Sequence, residues 1–188
     1  LSMLRKGAFV GHQKDTVESF LRLSEESIRT NKCTCCGSPL SVHRHSIMIG
    51  HVESLITAYK AFGVRNEFNL SQIVEDRSKF DNFQKMRYFC LVQKKVKSID
   101  GFYWSSVDAK SKTGFWRLTN KAEAFLLCDV PVAKHAYTYK GKLLFTTGIV
   151  WIDAQFEYWA QHETWQTRSL SLQRAVSAIV QCKSRGKR

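Results

Sequence analysis

The order of periodicities along this chain predicts an α+β fold with a winged helix-turn-helix at its centre. Three observations carry that prediction. Apolar residues recur at helical spacing in several separate stretches, the period switches to two between residues 91 and 119, and a helix-capping signal follows the second alternating run. The chain divides accordingly into an N-terminal helix and Cys-rich turn (1–46), a winged-helix domain (47–146), and a C-terminal extension with aromatic residues and a basic helix and tail (147–188).

The elements follow in order. In DTVESFLRLSEESIR, 15–29, Val17, Phe20, Leu21 and Ile28 share one helical face, which predicts a packing helix. A Cys-rich turn, NKCTCCGSPLSVHRHS, comes next. In IMIGHVESLITAYKAFG, Val52, Leu55, Ile56, Tyr59 and Phe62 form one stripe, and Gly63 supplies a C-terminal stop. NLSQIVED, 69–76, fits a short helix or a short extended piece equally well. Over 78–92, Phe80, Phe83, Met86, Cys90 and Leu91 fall on one side of a helix. Asp81, Asn82, Lys85 and Tyr88 fall on the opposite side, with Lys79 and Gln84 at its edges. Arg87 lands on the apolar side, where it is expected to snorkel past the core or to pair with an acid.

Beyond this helix, LVQKKVKS and KTGFWRLT read as two strands, with IDGFYWSSVDAK in the loop between them. Thr119 or Asn120 is expected to cap the next helix. Asn120 and Glu123 have capping-box spacing, and NKAEAFLLCD should run about ten residues. HAYTYKGKLLFTT alternates around Lys140 and Gly141, a hairpin pattern. Trp151, Phe156, Tyr158, Trp159 and Trp165 gather in the C-terminal region and are expected to pack in a core or a dimer. In SLSLQRAVSAIVQCK, Leu172, Val176 and Ile179 fall in line, and this stripe suggests a homodimer contact.

Helix, short element, helix, two-stranded hairpin, helix is the order of a winged helix-turn-helix. In that motif the second helix enters the major groove of DNA while the hairpin touches the backbone beside it. Charge agrees with such a partner. Among 188 residues, 29 Lys and Arg against 16 Asp and Glu leave a net +13, and the pI is near 9.6. The excess is concentrated: residues 77–97 hold seven basic side chains against Asp81 alone, and 167–188 hold six with no acid. A clustered positive field releases counterions on meeting phosphate.

Two segments, FQKMRYFCLV and GFWRLTNKAEAFL, resemble the third helix and the wing-to-helix junction of a group of uncharacterised phage and prophage winged-helix proteins. The CTCCG turn and VPVAKHAYTYKGKLL are similar to the same group, so the likeness runs roughly from Cys33 to Leu144. The resemblance implies a winged-helix fold and a phage context. It brings no activity with it.

The opening turn leaves its chemistry undecided. Cys33 and Cys36 have the C-x-x-C spacing that lets two thiolates reach one zinc, and His43 and His45 would complete a structural Cys₂His₂ site. On an extended strand this histidine pair is expected to need a bend in the chain to reach one ion. Free thiols and a C-x-x-C redox pair are the competing readings. Six scattered cysteines without a secretion signal point to reduced thiols in a host cytoplasm. The longest apolar runs are too short for a membrane span, and no membrane partner is expected.

The function expected from sequence is therefore regulatory, non-catalytic binding of double-stranded DNA by a phage or prophage protein. Asn82, Lys85 and Tyr88, flanked by Lys79, would contact the groove, and Lys94, Lys95, Lys97, Lys110 and Lys112 would meet phosphates along the wing. An alternative of another class is a phage-encoded protein that binds a host protein, such as a defence complex or RNA polymerase, through exposed aromatics. An enzyme finds little footing. Asp15, Glu18, Glu25, Asp76 and Asp153 form no acid/base or metal constellation, and no Gly-rich phosphate loop is present.

Overall fold

Gly63 ends the first described helix as its position in the sequence predicts. Helix α1 (Ile49–Phe62) buries Val52, Leu55 and Ile56 and closes where Gly63 takes φ 69, with the Gly63 amide donating to the Tyr59 carbonyl. The structure is a computed structural model, and it describes residues 32, 39, 41–72, 77–107, 113–139 and 141–185, with the backbone alone at 77–80 and 183–185. The expected helix over 15–29, the cysteines of the Cys-rich turn, Lys110 and Lys112 lie outside the described residues.

The fold is α+β, with two antiparallel sheets. One has the order β2-β5-β3-β4, built from β2 (Phe68–Asn69), β3 (Val92–Ser98), β4 (Gly101–Ser105) and β5 (Phe115–Leu118). Of the undecided stretch 69–76, Asn69 closes this two-residue strand, Leu70–Gln72 form a 3₁₀ turn, and 73–76 lie outside the described residues. Strand β4 lies inside what the sequence suggests is loop. Ser98 pairs with Gly101 across a turn at Ile99 and Asp100, and Gly101 enters β4 at φ 127, a backbone angle that suits glycine. The second sheet has the order β1-β6-β7, from β1 (Val42–Ser46), β6 (Val132–Tyr139) and β7 (Lys142–Val150). Its hairpin turns at Gly141, as the alternation predicts.

Helix α2 (Arg77–Lys85) is shorter than its sequence pattern suggests, because the chain tightens into a 3₁₀ turn, Met86–Phe89, and stops at Cys90 in a left-handed conformation, φ 59. Cys90 is exposed there, whereas the sequence places it on the packed side. Helix α3 (Asn120–Leu126) spans seven residues where about ten are expected. Its cap is Thr119, whose hydroxyl accepts from the Ala122 amide at 3.2 Å and donates towards the Cys90 carbonyl at 2.8 Å. The alternative capping box is not used: Asn120 accepts from Arg65, and Glu123 accepts the Tyr59 hydroxyl at 2.7 Å, tying α3 to α1.

The C-terminal residues form α4 (Ile152–Ala160) and α5 (Gln166–Arg185). Phe156 and Trp159 of α4 and Leu172, Val176 and Ile179 of α5 all enter one core with α1 and both sheets. The stripe on α5 is thus covered by its own chain, which removes the reason for expecting a homodimer through it. Sheet β1-β6-β7 also crosses the expected domain divisions. It joins residues before 46 to residues after 132, and β7 runs through position 146.

Candidate nucleic-acid interface

The helix expected to enter DNA turns its polar side largely inward. Tyr88 is 6% exposed, its ring stacked on His45 of β1 at 5.1 Å, and its hydroxyl donates to the Gly141 carbonyl at 3.2 Å while accepting from Arg87 at 2.7 Å. Tyr88 is therefore a packing residue rather than a base contact: the sheet that hides it comes from distant parts of the sequence. Arg87 lies with it, bonded to a phenol and to the Gly141 carbonyl rather than to an acid. Asn82 is half-buried against α1, where a Cβ on Gly50 would stand 3.6 Å from its Nδ2. Lys85 is half-buried and helps hold His45 and His51 neutral. The exposed residue on this part of α2 is Asp81, whose charge is wrong for phosphate. The Lys79 side chain lies outside the described set.

The lysines of β3 divide by the period of the strand. Val92, Lys94 and Val96 face the core, and Gln93, Lys95 and Lys97 face outward. Lys94, 9% exposed, carries its ammonium 5.5 Å over the buried ring of Trp116, and burial, then the Arg87 charge, lowers its pKa. It is a core lysine, so its expected phosphate contact is withdrawn. Lys95 and Lys97 stay on the surface side.

Pairing carries the outward set across the sheet. Lys95 stands opposite Trp104, Lys97 opposite Phe102, Gln93 opposite Arg117, and Asn69 opposite Phe115. Directly paired residues share a face, so Phe102, Trp104, Phe115 and Arg117 join Lys95 and Lys97 on one surface. The cations interleave with the rings. Lys95 Nζ lies 5.2 Å from the centre of Phe102 and 5.6 Å from that of Phe115, and the Arg117 guanidinium lies 4.5 Å over Trp104. Lys95 also meets Glu67 at 2.7 Å, and Arg117 donates to Gln93 at 2.9 Å. Phe102 is 59% exposed and Phe115 37%. Sequence reasoning missed the aromatic half of this face, although the Asp100-Gly101 dipeptide and the period of FWRL both point to it.

His43 and His45 are separated by one residue, so regular alternation puts them on the same face of β1 with no bend required, contrary to the sequence-based expectation. That face also carries Thr138, whose hydroxyl is 2.9 Å from His45 Nε2. Burial first, then Lys85, His43 and Arg87, lowers the His45 pKa. Cys33 and Cys36 are outside the described residues, and among the described residues no cluster of three or more His, Cys, Asp or Glu side chains is arranged to hold a metal ion. No described helix is long and apolar enough to cross a membrane. No family model, curated protein or solved structure matches this chain.

Proposed function

We propose that residues 49–126 form a winged-helix module that binds DNA through the outward face of its sheet, with helix α2 serving as a structural support rather than as the groove reader. The observation that carries this reading is the face that joins Lys95, Lys97 and Arg117 to three aromatic rings on a chain of net charge +13. Strand order supports the winged-helix part: β2, ahead of α2, lies beside β5, and β5 lies beside β3, the arrangement by which a wing returns to its helices. The role is regulatory and non-catalytic, and the phage context rests on the resemblance of the sequence motifs. In the same proposal, Cys33, Cys36, His43 and His45 hold one structural zinc. Metal analysis of purified protein should then give one equivalent, lost on Cys33→Ser.

The test is a salt series with duplex DNA. Three cations on phosphate give a slope near −2.7 in log affinity against log salt, a loss of about forty-fold between about 50 and 200 mM. An affinity that is flat in salt overturns the reading. It would favour the second one, a host-protein contact, for which exposed Ile149, Trp151 and Tyr158 provide the apolar anchors.

A further inference from the structure

We infer that the outward face of the β2-β5-β3-β4 sheet is a stacking platform for single-stranded nucleic acid. The inference rests on the DNA-binding reading above and narrows it. Phosphate binding alone needs cations, and Lys95, Lys97 and Arg117 would suffice. It gives no reason for Phe102, Trp104 and Phe115 to stand on the same surface. Duplex DNA keeps its base faces stacked on one another and offers only edges to a protein. Phenylalanine has no donor or acceptor with which to read an edge. An unpaired base, by contrast, exposes a π-face that any aromatic ring can take, whatever the sequence.

The geometry suits that ligand. Phe115 on β5 and the pair Phe102 and Trp104 on β4 flank β3, so the two aromatic rims stand about 10 Å apart, two inter-strand spacings. Bases taken by the two rims then belong to different nucleotides of one strand, and the backbone between them crosses β3, where Lys95 and Lys97 point outward. The Phe102 and Phe115 rings have the Lys95 ammonium beside them and still stay 59% and 37% exposed, which leaves ring surface for a π partner. The Arg117 guanidinium, 4.5 Å over Trp104, extends the same surface with a second planar group. Glu67 meets Lys95 at 2.7 Å, so an incoming phosphate competes with that carboxylate for the ammonium.

The experiment compares oligo(dT), oligo(rU) and a blunt duplex of the same length, titrated into the full chain at one moderate salt concentration. Single strands should bind about tenfold or more tighter than the duplex and quench tryptophan emission, with the quench reduced in Trp104→Phe. The double variant Phe102→Ala/Phe115→Ala should lose at least about tenfold in single-strand affinity, a larger factor than its loss for the duplex. Phe102→Leu/Phe115→Leu keeps apolar bulk without a π-face. It should show the same loss with an unchanged melting temperature, which separates stacking from folding. Duplex affinity equal to or above that of single strands, or double variants that bind oligo(dT) like the parent, overturns the platform while leaving duplex binding intact. Failure to bind any of the three probes overturns both the platform and the DNA-binding reading.

Discussion

The ring of His45 lies on that of Tyr88, centroids 5.1 Å apart and planes 20° from parallel, so β1 closes over the 3₁₀ turn that follows α2. The contact joins residues 43 positions apart in the chain and decides which part of the module faces solvent. It makes Tyr88 a stability residue. Tyr88→Phe keeps the stack and loses the bonds to Arg87 and Gly141, at a cost of about 1 kcal/mol. Tyr88→Ala empties a buried aromatic site at a cost of about 3 kcal/mol. Urea denaturation reads both. Nucleic-acid affinity of the Phe variant should equal that of the parent, and a tenfold loss at unchanged stability would return the phenol to the binding face.

Two lysines of β3 should behave as opposites. Lys97 is exposed on the outward face and Lys94 is buried beside Trp116. Lys97→Ala should lower the salt slope of binding by about one and weaken affinity evenly across sequences. Lys94→Met should leave the slope unchanged and show its effect, if any, in thermal melting. A reduced slope in Lys94→Met would place its ammonium on phosphate and contradict the alternation of β3.

The strand at β3 was readable without a structure, although its alternation was not applied to Lys94, and so were several other elements. The α1 stripe with Gly63, the Thr119 cap, the turn at Gly141 and the α5 stripe all depend on residues close in sequence, where spacing alone carries the information. Strand β4 was not read because Phe102, Tyr103 and Trp104 run together and hide the period of two that pairing with Lys97, Val96 and Lys95 makes plain. The end of α2 was missed because Cys90, a non-glycine residue, adopts φ 59. The outward side of α2 was misjudged for a different reason. Helical periodicity identifies one packed side, but here a second layer from β1 and the β6–β7 hairpin covers part of the other, and nothing local in 78–92 encodes it.

Acid should weaken this second layer. His51 is 3% exposed, its Nδ1 accepts from the Met48 amide at 2.9 Å, and its pKa falls from 6.5 to about 4. Burial is the main cause, followed by the charges of Lys85 and His45, against a smaller opposing pull from the Ser46 backbone. The unfolded chain therefore binds a proton between pH 6.5 and 4 that the folded chain refuses. Stability is fully present above the unfolded value and declines as pH falls towards 4, by roughly 3 kcal/mol at the limit. His135 is lowered as well and acts with the same sign. Urea midpoints measured from pH 7 to 4 should fall, and His51→Gln should flatten the decline. An unchanged slope in that variant would move the effect to the other histidines.

Removing α5 should cost folding rather than dissociate a dimer. Leu172, Val176 and Ile179 are buried within the chain, the Ser169 hydroxyl donates to the Phe156 carbonyl at 2.8 Å, and Arg168 meets Glu53 of α1 at 2.8 Å. Burying three such side chains contributes on the order of 5 kcal/mol, comparable to the whole stability of many domains. A chain ending at Glu163 exposes the facing surfaces of α4 and α1 and should melt at a much lower temperature or lose its cooperative transition. The full chain should sediment at its monomer mass, 21.7 kDa. A truncated chain that melts like the parent, from a parent that sediments at twice that mass, would show that α5 works between chains and that its apolar stripe faces a second copy.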